Sequence, residues 1–188
     1  MKKQLAFMVN SKKCVGCYSC AMACKNQYHQ EVGVTWRTLT PLSKKDYPFE
    51  DRAYYSLACN HCESPVCVEV CPVNAHVKRD KDGIVVQSAD KCIYCKQCIE
   101  ECSYGASKDN KVLGRAEKCS MCVERIDAGL TPACVMGCPT KALTLVELSD
   151  VKDAVQYPAG FAKHEELNPS TRFVEASVPE LVLAKKDS

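Results

Sequence analysis

The sequence predicts a loop-rich α+β fold, and three observations carry that expectation. All sixteen cysteines of the 188-residue chain fall into four runs, with none left over. Apolar residues outside the runs come in short patches of β character, punctuated by Pro and Gly. A segment of good helix formers, Ala21 to Gln27, follows Cys20 and carries Cys24 away from the three cysteines before it.

Taken in order, Leu5-Ala6-Phe7-Met8-Val9 reads as a strand leading into the first run, Cys14 to Cys24. Residues 25–58 hold no cysteine; alternation over Val34 to Leu39, the punctuation at Pro41 and Pro48, and Ala53 to Leu57 predict an inserted β-hairpin. Its single Trp, Trp36, reads as packing, with a partner surface as the alternative. After the second run, Cys59 to Cys71, Asp82-Gly83 precedes Ile84-Val85-Val86, a turn-then-strand signal. The third run, Cys92 to Cys102, gives way at Ser103-Tyr104-Gly105-Ala106 to an expected polar loop, Lys108 to Lys118. The fourth run, Cys119 to Cys138, has a long gap from Val123 to Ala133 and ends in a closing strand, Leu143 to Val146. Residues 151–188 read as an extended C-terminal tail wrapping the body or a partner, a disordered terminus being the alternative.

About one residue in twelve is Cys, a level that signals either disulfides or metal sites. Disulfides need an oxidising compartment. The five-residue apolar run Leu5–Val9 is too short for the apolar core of a signal peptide, and no stretch approaches the length of a membrane span. A formal charge of +2 offers no nucleic-acid signature. If the cysteines hold metal, that charge misleads: an iron-sulfur core of charge about +2 on four thiolates carries about −2, and four such sites would bring the loaded protein to about −6. The basic residues beside the runs (Lys12, Lys13, Lys25, Lys91, Lys96, Lys118, Arg125) would then offset cluster charge, or else form a solvated face.

The spacings are Cys-x2-Cys-x2-Cys-x3-Cys at Cys14 and Cys92, Cys-x2-Cys-x4-Cys-x3-Cys-Pro at Cys59, and Cys-x2-Cys-x11-Cys-x3-Cys-Pro at Cys119. A cubane iron-sulfur cluster needs four thiolates, and three closely spaced cysteines on a curled loop can supply three corners. The fourth sits a helical turn further on, pointing away, free to ligate a neighbouring cluster as in two-cluster ferredoxins. Zinc knuckles have no use for the third and fourth cysteines of such a run. Cysteines this close also make poor structural disulfides. His61, between Cys59 and Cys62, reads as a hydrogen-bonding neighbour; His29, His76 and His164 show no partner pattern. No nucleotide loop, Ser/His/Asp arrangement or isolated reactive cysteine occurs, so the chain reads as non-catalytic.

Cys59-Asn60-His61-Cys62-Glu63-Ser64-Pro65-Val66-Cys67, Tyr104-Gly105-Ala106, Lys118-Cys119-Ser120-Met121-Cys122 and Cys134 to Pro139, in this order, resemble the iron-sulfur electron-transfer subunit of the dimethyl sulfoxide reductase family of molybdopterin oxidoreductases. The likeness extends to the iron-sulfur subunits of polysulfide, thiosulfate and tetrathionate reductases. It covers roughly residues 3–148 and departs at Ser103, where the family often has proline. It implies two ferredoxin-like units related by a pseudo-twofold and four [4Fe-4S] clusters in a line. One unit is 1–58 plus 103–150, with the β insert over 25–58; the other is 59–102; the tail is 151–188. Ligands would be shared crosswise: Cys14, Cys17 and Cys20 with Cys138; Cys119, Cys122 and Cys134 with Cys24; Cys59, Cys62 and Cys67 with Cys102; Cys92, Cys95 and Cys98 with Cys71.

The same resemblance implies a relay of single electrons between a large molybdenum or tungsten bis-pterin catalytic subunit and, in many complexes, a membrane subunit linked to quinone. Cluster assembly belongs in the cytoplasm, where thiols stay reduced, with membrane association through the complex or export beside a partner carrying a twin-arginine signal. A free-standing soluble polyferredoxin and a zinc-stapled interaction module are the competing readings. The insert and the tail speak against the first, and the run spacing against the second.

Overall fold

The computed structural model describes residues 3–41 and 53–175. Its largest sheet has three strands, centred on the N-terminal apolar patch. That patch forms β1 (Leu5–Asn10), whose Ala6, Phe7 and Val9 are buried. β8 (Leu143–Glu147) pairs with it antiparallel, from Leu5 opposite Glu147 to Val9 opposite Leu143. On its other edge β9 (Arg172–Val174) runs parallel, so the sheet order is β8-β1-β9.

The remaining strands form three hairpins. β2 (Thr38–Pro41) pairs with β3 (Tyr54–Leu57). This is the predicted insert, with its first strand starting four residues later than the alternation suggested. Val34 is held instead in a turn, its N–H donating to Glu31 O, while Lys25 Nζ donates to the carbonyls of both Glu31 and Val34. Pro48 lies outside the described residues. β4 (His76–Lys78) and β5 (Val85–Gln87) flank the predicted Asp-Gly turn, where Gly83 has φ +71° and Gln4 packs against its α-carbon.

The third hairpin corrects the sequence reading. Lys108–Lys118, expected as a polar loop, folds into β6 (Lys108–Asn110) and β7 (Arg115–Glu117). Neither strand carries the apolar alternation that signals a strand. The turn is held by Leu113 N–H donating to Asn110 Oδ1, by Gly114 at φ +60°, and by Arg115 paired with Glu117.

Five short helices carry or follow cysteines: α1 (Ser19–Gln27), α2 (Val66–Glu69), α3 (Gln97–Glu100), α4 (Val123–Asp127) and α5 (Ala133–Met136). α1 packs on α5, and α2 on α3. The first contact is close because Gly137 follows α5: a β-carbon there would stand 2.9 Å from that of Ala23. One core cluster mixes Phe7, Val9, Tyr55, Ile84, Leu143 and Phe173 with six buried cysteines, so thiols replace much of the hydrocarbon that a core of this size would hold.

From Val151 to Glu175 the chain crosses this body as a strap. Val155 bridges Phe173, Ser170 N–H donates to Asn60 O, and Glu63 and Ser64 N–H donate to the carbonyls of Asn168 and Leu167. The wrapping expected of the tail is therefore onto the body over its described part; 176–188 lie outside the described residues. Among the described residues no helix is long and apolar enough to cross a membrane.

Candidate metal centre

Each run begins with the same bend. The residue two after its first cysteine is left-handed: Gly16 (φ +68°), His61 (+45°), Tyr94 (+57°) and Met121 (+57°). Only one is glycine, so three of the bends hold a conformation that L side chains disfavour, the kind of strain that concentrates at functional sites. The bend turns the backbone N–H at that position toward the first sulfur: His61 N–H donates to Cys59 Sγ (3.5 Å) and Met121 N–H to Cys119 Sγ (3.3 Å). A second repeat lies three residues after the last cysteine of runs two to four, where Asn74, Gly105 and Lys141 are all left-handed. Gly105 keeps that turn although Ser103 stands where Pro72 and Pro139 stand in the other runs. There Ala75 N–H donates to Cys71 Sγ (3.1 Å) and Ala106 N–H to Cys102 Sγ (3.4 Å).

The helices then distribute the sulfurs. Cys14, Cys17, Cys20 and Cys138 line one cavity, beside Val9, Leu39 and Leu143. Cys59, Cys62, Cys67 and Cys102 line a second, closed by Tyr104, Lys118 and Leu167. Cys92, Cys95, Cys98 and Cys71 line a third, with His76 in its wall. Cys24, on α1, stands within electrostatic reach of Cys119, Cys122 and Cys134, making a fourth group that is buried throughout. Every group takes three sulfurs from one run and one from another.

The donor set, sixteen thiols in fours, suits iron-sulfur cubanes. Among the described residues no three His, Cys, Asp or Glu side chains converge tightly enough for a single ion. Tetrahedral zinc at Zn–S about 2.3 Å would need thiols about 3.8 Å apart. The groups also neighbour one another in series: Cys20 lies near Cys134, Cys119 near Cys59, and Cys67 near Cys98. The first and last groups of this series each expose one cysteine, Cys17 and Cys95.

Burial sets the thiol electrostatics. It pushes Cys24 and Cys98 up to about 11, and Cys62 and Cys67 up to about 12. Buried thiolates in such groups repel one another and need a cationic core, so loading the site expels their protons. At exposed Cys17 the Ser19 hydroxyl lowers the value instead, and at Cys71 burial is the largest single influence but is outweighed by the backbone N–H donors acting together, Ala75 first among them.

Three cations, two of them fully buried, face these groups. Lys118 is 4% exposed; its Nζ reaches Cys59 Sγ (3.6 Å) and donates to the carbonyls of Val85 and Cys119. Half-buried Lys78 donates from Nζ to Cys62 O (2.9 Å). Arg37 is 1% exposed and lies in the field of Cys134, Cys119, Cys20 and Cys24. Among the other basic residues flagged by the sequence, Lys25 ties a turn, Lys96 pairs with Asp109 over the Tyr94 ring, and Arg125 donates to Thr131 O.

His61 is fully buried and accepts the Val85 N–H at Nδ1 (3.0 Å). Burial, and then Lys118, Lys78 and Arg37, hold it neutral, well below the usual histidine range. Trp36 packs against Tyr28 with ring centroids 4.7 Å apart and the rings tilted by 36°. Sequence reasoning missed Arg37, Lys78 and His76. Arg37 carried one faint signal: a charged residue directly after Trp36, inside an otherwise alternating patch.

Short loops that gather thiols in fours on a small α+β body define an iron-sulfur protein, and a family profile described as a 4Fe-4S dicluster domain matches residues 51–148, just over half of the chain. Over 160 residues the sequence is 36% identical to one of the polypeptides of the anaerobic dimethyl sulfoxide reductase of Escherichia coli, covering 81% of this chain and 78% of that one. It is 28% identical to the arsenate respiratory reductase iron-sulfur subunit of a Shewanella species, covering 88% and 91%. It is 34% identical to a polypeptide of the tetrathionate reductase of Salmonella typhimurium, covering 79% and 60%. This protein belongs to the family of iron-sulfur electron-transfer subunits of dimethyl sulfoxide reductase type.

Proposed function

We propose that this chain is the non-catalytic electron-transfer subunit of an oxidoreductase complex and holds four [4Fe-4S] clusters. Their ligands are Cys14, Cys17, Cys20 and Cys138; Cys24, Cys119, Cys122 and Cys134; Cys59, Cys62, Cys67 and Cys102; and Cys71, Cys92, Cys95 and Cys98. The observation that carries this reading is the grouping itself, three sulfurs from one run and a fourth from another, four times over. Bound cubanes supply one-electron transfer.

The chain's own residues do the rest. Thiolates hold the cluster, left-handed bends aim N–H groups at sulfur, buried Lys118 and Arg37 supply positive charge, and Leu167, Tyr104 and the β1 sheet exclude water. Electrons enter and leave through the groups whose Cys17 and Cys95 reach the surface. A molybdenum or tungsten bis-pterin catalytic subunit takes one end; a quinone-linked membrane subunit or another redox partner takes the other. The α1–α5 and α2–α3 pairings support two ferredoxin-like units related by a pseudo-twofold, one made of 1–58 and 103–150 and the other of 59–102.

The test is purification of the native complex with iron, acid-labile sulfide and zinc analysis. We expect about sixteen iron and sixteen sulfide per chain, together with a large partner subunit. Zinc without sulfide, or a monodisperse active monomer, would overturn the proposal.

A further inference from the structure

Among the described residues, Arg37 is the one buried cation placed between two of the cysteine groups with most of its donors unused. One Nη donates to Ser56 O and Ser56 Oγ, both at 3.1 Å, and the guanidinium carbon lies 4.3 Å over the Phe7 ring. Ser56 Oγ in turn touches Cys20 Sγ at 3.3 Å. Nε and the other Nη are buried with no nitrogen or oxygen partner among the described residues, and the guanidinium lies within hydrogen-bonding reach of the Cys134 sulfur, whose thiolate it favours. No carboxylate among the described residues pairs with it. The charges in its field are the sulfurs of Cys134, Cys119, Cys20 and Cys24.

Burying an unpaired guanidinium is costly unless an anion answers it. On the function proposed above, which this inference rests on, that anion is the pair of thiolate-held clusters on either side. We propose that Arg37 is the electrostatic positioning residue for the step of the relay between these two clusters. Its fixed charge raises the reduction potentials of the cluster at Cys14/Cys17/Cys20/Cys138 and the cluster at Cys24/Cys119/Cys122/Cys134 together.

The direction follows from charge. Each one-electron reduction adds one negative charge to a cluster, and a cation in a low-dielectric interior stabilises the more negative state. Being shared, Arg37 also offsets repulsion between the two sites when both are reduced. Arginine suits the place because it stays protonated whatever the cluster state and its five N–H donors, spread around the edge of one rigid plane, point in several directions at once.

The experiment is a redox titration followed by electron paramagnetic resonance on the purified holocomplex carrying Arg37→Gln or Arg37→Lys. Iron and sulfide are counted on the same samples. In Arg37→Gln, two of the four midpoints should fall, each by about tenfold in the reduction equilibrium constant, or about 59 mV for a one-electron couple. The other two should move less. Arg37→Lys, which keeps the charge, should move all four by less than about threefold.

Four intact clusters with unmoved midpoints in Arg37→Gln would overturn the inference, as would a fall in Arg37→Lys as deep as in Arg37→Gln. If Arg37→Gln fails to assemble, Arg37→Lys decides alone: retained midpoints support the charge role, and a tenfold fall refutes it. Fewer than four clusters in the unaltered chain would instead sink the function reading and leave the electrostatic argument to be judged on the clusters present.

Discussion

Lys118 shows how one side chain can serve both fold and function. Its ammonium satisfies the carbonyls of Val85 and Cys119 and stands against the Cys59 sulfur. Lys118→Met keeps the stem and removes the charge. It should lower the potential of the Cys59/Cys62/Cys67/Cys102 cluster and, by leaving carbonyls unpaired, cost about 1–3 kcal/mol of stability. Redox titration and denaturant unfolding of the same variant separate the two effects.

At the scale of elements, the loops are held from outside. The strap clamps the second run: Ser170 Oγ donates to His61 O (2.8 Å), Thr171 Oγ1 to Asn60 Oδ1 (2.7 Å), and Asn168 Nδ2 to Glu63. Removing both hydroxyls in Ser170→Ala with Thr171→Val should cost about 1–3 kcal/mol. It should also speed the bleaching of one cluster in air, read by absorbance, while the other three keep their rates. Gly16 fixes the first run in a different way. At φ +68° it lies against Tyr54, whose ring atoms would stand 2.6 Å from an added β-carbon. Gly16→Ala should cost the cluster at Cys14/Cys17/Cys20/Cys138, leaving iron and sulfide for three.

Across the whole molecule, the clusters take the place of a conventional core. Six of the buried residues of the main core are cysteines, and the helices of the second to fifth positions span only four or five residues. Such pieces are not stable alone. Chelation of the iron should abolish cooperative unfolding and most ordered circular dichroism, because cluster binding energy is folding energy. Retention of a cooperative transition in the iron-free chain would show that the protein frame stands without metal. The cross-run grouping adds a sharper test. Cys102→Ser should alter the spectrum of the cluster nested in the second run and leave the third run's own cluster intact.

The sequence by itself determined the chemistry and the local shapes: thiol spacing singles out cubane clusters, apolar patches place β1 and β8, and Asp82-Gly83 ahead of Ile84-Val85-Val86 places a turn and the strand after it. Those are short-range properties, settled by neighbours along the chain. It did not show the hairpin at Lys108–Lys118, whose polar strands are held by side-chain bonds rather than by an apolar face. Nor did it show the left-handed bends at His61, Tyr94 and Met121, where residue type alone argues for another conformation. Which thiols face one another came to the sequence reading only through a family likeness, since spacing says that a fourth cysteine points away without saying where. Tertiary structure decided the rest, because burial is a non-local property: it took Arg37 from a hairpin insert, Lys118 from the edge of a run and His76 from a short strand, and enclosed all three beside sulfur.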